Sequence, residues 1–176
     1  MELVQHDARK AEELGVDLRH SSRKFLRRRR GIFGLYLTAS FSMGVVALYQ
    51  LGILERLPDP PLPHFNSGKV TGSAKAYTLF ETPDGVLAIG SYAATMTLAA
   101  MGSSERARTR PLAPIALAMK VGFDAVLGAR YAYKEWSKRR TLCFWCLAAS
   151  AAVAAALPLA IPEARASLRR MKGSEI

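Results

Sequence analysis

The sequence predicts an all-α membrane protein, a bundle of four transmembrane helices beneath an extracytoplasmic cap loop. Three observations carry that prediction. Apolar residues gather into long blocks, basic residues flank those blocks, and a Cys-x-x-Cys motif opens the last of them. Half of the 176 residues are hydrophobic, and the formal net charge is +11. A basic balance suits nucleic acid, an anionic membrane surface or the control of topology. The run Arg27-Arg28-Arg29-Arg30 stands directly before the apolar Gly31-Ile32-Phe33. That placement favours the lipid bilayer as partner, and no nucleic acid is expected.

The first apolar block, 31–54, has no formal charge and is long enough to cross a hydrocarbon core of roughly 30 Å at about 1.5 Å per residue. The second, 84–102, is short and only moderately apolar. Its small residues, such as Gly90, Ser91, Ala93 and Ala94, suit close packing in a bundle. The third, 111–133, carries Lys120 and Asp124. Four residues apart, they share a helix face and neutralise each other, which favours a structural ion pair over a proton path. The fourth, 141–161, is alanine-rich and uncharged. Residues 1–30 form a basic leader with thinly spread apolar positions, read either as an amphipathic helix on the membrane or as disorder. The first block follows that leader without a small-residue cleavage site, so it reads as a retained helix rather than a signal peptide. The expected division is a leader over 1–30, a transmembrane domain over 31–162 and a tail over 163–176.

Loop charge sets the expected orientation. The leader, the 103–110 loop with Arg106, Arg108 and Arg110, and the tail with Arg165, Arg169, Arg170 and Lys172 all belong inside. Both termini are then cytoplasmic and residues 55–83 lie outside. The segment with Lys134, Lys138, Arg139 and Arg140 disagrees, but a three-crossing alternative would misplace either the leader or the tail. The 55–83 loop opens on Pro58, Pro60, Pro61 and Pro63, which resist helix, and then turns polar. A loop of that length inside a compact domain is usually functional or disordered, and this one precedes a helix over which it can fold back.

Chemistry concentrates in Cys143-Phe144-Trp145-Cys146, which holds both cysteines of the chain. Two cysteines three apart at a helix start share a face and approach disulfide distance. The unpaired N–H groups of a first helical turn, with Lys138, Arg139 and Arg140 just upstream, favour a thiolate. Such a dithiol can trade electrons with another thiol pair or with a lipid-soluble carrier. A zinc site usually needs four ligands, and His6, His20 and His64 are badly placed to complete one, so no metal is expected. The plainer alternative is two small buried residues in an alanine-rich helix.

The stretch SGKVTGSAKAYTLFETPDGVLAIGSY, the later DAVLGARYAYKEW and the CFWC motif together resemble the vitamin K epoxide reductase family. The resemblance implies four helices around a quinone of the ubiquinone or menaquinone type, and a dithiol that reduces it. It implies that Cys146 stands nearest the quinone and that Cys143 exchanges with incoming thiols. Asp84 takes the position whose polar side chain contacts a quinone oxygen, with capping of the second helix as its alternative role. Ser73 matches the serine or threonine of the cap loop. Ser150 stands where some members carry a tyrosine for the other carbonyl. Tyr92, Phe123, Tyr131, Phe144 and Trp145 are candidates to line a ring pocket, though each singly is more often packing. Most members have a second cysteine pair in the loop. This chain has none, and Ser67 stands where the second of them belongs. Bacterial relatives share that reduced set, which implies a bacterial plasma membrane. The expected function is therefore transfer of electrons from a separate thioredoxin-like thiol protein, through Cys143 and Cys146, to a quinone. The rival is a non-catalytic binding or assembly protein on the same scaffold, favoured by the missing loop cysteines.

Overall fold

The computed structural model describes residues 2–21, 23–77 and 81–173. Five long helices carry the architecture: α1 (Glu2–His20), α2 (Lys24–Gln50), α4 (Asp84–Ala100), α6 (Leu112–Arg139) and α7 (Phe144–Gly173). Shorter pieces connect them: α3 (Ser67–Thr71), a 3-10 turn at Ala74–Tyr77, and α5 (Arg106–Thr109). There is no strand among the described residues, and the all-α expectation holds.

Helices α4, α2, α7 and α6 pack side by side in that order, and α4 closes the ring against α6. The buried stripe on α2 is Ile32, Tyr36, Ala39, Met43 and Val46, recurring every three or four residues. It meets Ala149, Ala152, Val153, Ala156 and Ala160 on α7, where methyl-sized side chains let the backbones approach. Large apolar side chains instead face outward, among them Phe41, Met119, Phe123 and Val126. Small residues inside and large ones outside is the pattern that lipid, not water, stabilises. Three helical stretches are long and apolar enough to cross a membrane: Lys24–Gln50, Leu112–Lys138 and Phe144–Lys172. Helix α4 has 17 residues, about 25 Å at about 1.5 Å per residue, the short end of what spans a bilayer.

The helices overrun the apolar blocks. Helix α2 begins in the basic run, because Lys and Arg are good helix formers, and α7 continues through Pro158 and Pro162 to Gly173. The leader is helical as well. Asp17 on α1 accepts the Ser104 N–H at 2.7 Å and its hydroxyl at 2.9 Å, while Arg30 donates to the Leu18 carbonyl at 2.7 Å. Those Ser104 donors hold the Asp17 carboxyl below its ordinary range, the backbone N–H foremost.

Two arginines that loop-charge counting assigns to topology are buried. The Arg29 guanidinium donates to the carbonyls of Ala99, Ala100, Met101, Gly102 and Ser103 at 2.7–3.1 Å, closing the open end of α4. Arg106, fully buried, makes a two-pronged pair with Glu163 of α7, both bonds at 2.9 Å, and also donates to the Met101 carbonyl. Midway along the bundle, Lys120 donates to Asp124 at 2.6 and 2.7 Å. The same carboxylate accepts from Tyr36, Ser91 and Thr95, so one charge pair ties α2, α4 and α6 together. This is the structural ion pair the four-residue spacing predicts.

Candidate functional site: a dithiol at the start of α7

The two cysteines sit where α7 begins, covered by the segment that joins α2 to α4. That segment is fastened to the α6–α7 turn by backbone bonds, Leu142 N–H to His64 O at 2.8 Å and Asn66 N–H to Leu142 O at 3.2 Å. The sharp corner before it is made by Arg140, whose left-handed φ of 51° ends α6. Trp145 donates its indole N–H to the Pro58 carbonyl at 3.1 Å. Ser67, fully buried, is the centre of the cover. Its N–H reaches Asp59 at 2.7 Å, its hydroxyl donates to the same carboxylate, and its oxygen accepts the Phe144 N–H at 3.0 Å. The Phe144 N–H is one of the orphan donors of the α7 start, so Ser67 acts as its cap from a distance in sequence.

Cys143 is 3 % exposed and Cys146 is half-buried; both are free thiols. The Cys143 sulfur accepts the Cys146 N–H at 3.1 Å. Cys143 lies one residue before α7. Hydrogen bonding to the Cys146 thiol holds its own thiol below the ordinary range; burial opposes this, and the Cys146 N–H adds to the lowering. The acting groups are hydrogen-bond donors rather than the upstream cations. Arg140 is exposed, stacked 5.6 Å over the Trp136 ring, and Lys138 is exposed too; the Arg139 side chain lies outside the described residues. Cys143 is thus the less solvent-accessible of the pair.

Beside the thiols is a cavity of about 10 Å³, room for at most one water, walled by Tyr131, Leu147 and Ser150 and roofed by Val70 and Leu142. Ser150 belongs to this wall, but its hydroxyl is engaged by the Cys146 carbonyl at 2.8 Å. Asp84 lies near the Tyr131 phenol and accepts from Gln50 at 2.6 Å. The cap position of α4 falls on Pro83, so Asp84 is the first helical residue. The Gln50 carbonyl oxygen in turn accepts the Gly85 N–H at 3.1 Å, and a Cβ on Gly85 would meet that oxygen at 2.8 Å. Ser73 stands apart, its hydroxyl donating to Val70 O at 3.0 Å. Among the aromatic candidates only Tyr131 lines the cavity. Tyr92 packs edge-on against Tyr36, Phe123 faces outward, and Phe144 and Trp145 pack on each other. Asp59 and Gln50 escaped the sequence reading altogether, because nothing local marks their long-range partners. Among the described residues, no group of three or more His, Cys, Asp and Glu side chains is placed to hold a metal ion.

A bundle of apolar helices with a shielded dithiol at one end defines a membrane protein equipped for thiol chemistry. The sequence pattern of the vitamin K epoxide reductase family matches residues 31–161, and the chain belongs to that family. Membership supports an oxidoreductase kind of activity, in general a quinone-linked one acting on thiols. No curated protein and no solved structure matches the chain. At the Ser150 wall α6 and α7 touch: a Cβ on Gly128 of α6 would lie 2.9 Å from the Ser150 hydroxyl and 3.2 Å from its Cβ.

Proposed function

We propose that this protein is a quinone-linked thiol oxidoreductase in which Cys143 exchanges with a dithiol partner and Cys146 delivers electrons to a ubiquinone- or menaquinone-type substrate. The observation that carries the reading is the Cys143 sulfur held by the Cys146 N–H at the mouth of a spanning helix, beside a cavity walled by the Tyr131 phenol. In the oxidised pair the two sulfurs are joined. A thiolate of a separate thioredoxin-like protein attacks Cys143, and the bond to Cys146 breaks. The partner's second thiol then displaces Cys143, and the partner leaves as a disulfide. The reduced pair next gives two electrons and two protons to the quinone, re-forming its own disulfide and releasing a quinol. Tyr131 and a protonated Asp84 supply O–H donors for the quinone oxygens, Tyr131 standing in for the phenol that Ser150 lacks. Tyr131 and Leu147 are each 37 % exposed, so their outward swing opens the small cavity sideways to the bilayer. Ser150 shapes the wall, and Ser73 steadies the loop over residues 55–83. Four crossings, with both termini cytoplasmic and the transmembrane domain over 31–162, complete the proposal.

The test uses the full chain in detergent, a dithiol reductant and a short-chain quinone, followed by quinone absorbance. Wild type reduces the quinone, and Cys143→Ser and Cys146→Ser each abolish turnover. Equal rates in all three proteins would sink the redox reading and leave the non-catalytic alternative.

A further inference from the structure

The end of the bundle opposite the dithiol holds a recess of about 730 Å³ between the start of α2, α5 and the outer part of α7. That volume lies within the range of small-ligand sites. Its walls are cationic, with Lys24, Arg28, Arg108, Arg165, Arg169 and Arg170 all lining it. None of these six is paired with a carboxylate among the described residues. Glu105, the carboxylate in the same wall, is taken by Arg23. Like charges gathered on a concave surface repel one another, and an anion in the recess relieves that cost. An apolar part of the lining comes from Phe25, Ala107, Pro162 and Ala166.

Height along the helices narrows the ligand class. Arg28 lies about one helical turn before the apolar stretch of α2 that opens at Gly31, and Arg165 about one turn after that of α7 that closes at Ile161. The recess therefore opens at the level where phospholipid headgroups meet the hydrocarbon core. A soluble phosphate would use the arginines and leave the apolar part wet; a lipid uses both, its phosphate on the cations and its glycerol and first acyl carbons on Phe25 and Pro162. We propose that this recess binds an anionic phospholipid through its headgroup phosphate. The site is remote from the thiols and stands independently of the redox reading.

The experiment titrates the detergent-purified full chain with dioleoyl phosphatidylglycerol and counts bound lipid by native mass spectrometry. Phosphatidylglycerol is expected to bind at least about tenfold more tightly than dioleoyl phosphatidylcholine, and Arg165→Gln/Arg169→Gln to weaken it by about fivefold per cation removed. Both arginines are exposed, so their loss leaves the packing intact. Arg9→Gln/Lys10→Gln removes the same charge from α1 outside the recess and should bind as wild type does. Equal weakening in both double variants would mean diffuse surface attraction and overturn the site, as would undiminished binding in the recess variant. Competition by inorganic phosphate at concentrations matching the lipid would make it a soluble-phosphate site and overturn the lipid assignment.

Discussion

Cys143 has to meet an incoming thiol, yet it is sealed beneath Ser67 and Asp59. Asp59 holds both the N–H and the hydroxyl of Ser67 with two carboxylate oxygens, and an amide has one acceptor oxygen to offer. In a Cys146→Ser background, Asp59→Asn should therefore speed maleimide labelling of Cys143 several-fold; an unchanged rate would mean that this anchor does not control access. The acidity of the same thiol is a second expectation. With the donors on its sulfur lowering its folded-state pKa, the thiolate persists as pH falls until that lowered value is crossed. The labelling rate of Cys143 in the otherwise native protein should thus fall to half below the ordinary thiol value of about 8.5, and a midpoint at or above it contradicts the donor geometry. Tyr131 is tested through the quinone. Tyr131→Phe removes one neutral hydrogen-bond donor and should raise the quinone KM about two- to tenfold, with the dithiol titration unchanged. At this scale the sequence was readable only where spacing is local. Cys143 and Cys146 announce themselves by a three-residue interval, whereas Asp59 and Gln50 acquire their significance from chain segments far away in sequence.

Helix positions were legible for the opposite reason: a spanning segment advertises itself over some twenty residues. All four blocks correspond to long helices, and the Lys120–Asp124 interval correctly foretold a pair on one face. Helix ends were not legible, since arginine and lysine continue a helix as readily as they flank a membrane, and two prolines inside α7 do not stop it. Nor could loop-charge reasoning tell that Arg29 and Arg106 are internal fittings, because burial of a cation depends on carbonyls and a carboxylate brought in by other helices. The network around Asp124 gives the prediction for this scale. Asp124→Ala strands Lys120 and leaves the Tyr36, Ser91 and Thr95 hydroxyls without their shared acceptor. Removing one member of a buried pair costs about 3–5 kcal/mol. Thermal unfolding in detergent should show a loss of that order; a stability equal to wild type would mean that apolar packing alone holds α2, α4 and α6 together.

For the whole molecule, the alternation of α2, α4, α6 and α7 places their ends in two layers. One holds Gln50, Asp84 and the cysteines, the other Arg29, Arg106 and Glu163. Reporter fusions near Gly68 and after Gly173 should consequently report opposite sides of the membrane, and a cytoplasmic signal from the Gly68 fusion would sink the four-crossing topology. The overall class was legible because lipid imposes so few solutions, whereas the closure of the loop over the thiols depended on contacts such as Leu142 with His64 that no periodicity encodes. One of the buried pairs also dictates an order of events during synthesis. Arg29 is already available when the end of α4 leaves the ribosome, but the carboxylate for Arg106 lies 57 residues further on, in Glu163. Until α7 is threaded into place, the corner after α4 holds a cation destined for burial with no counterion. The corner is therefore the last joint to close, and a nascent chain interrupted anywhere before Glu163 should be held by the insertion machinery or handed to proteases rather than settle into the bilayer.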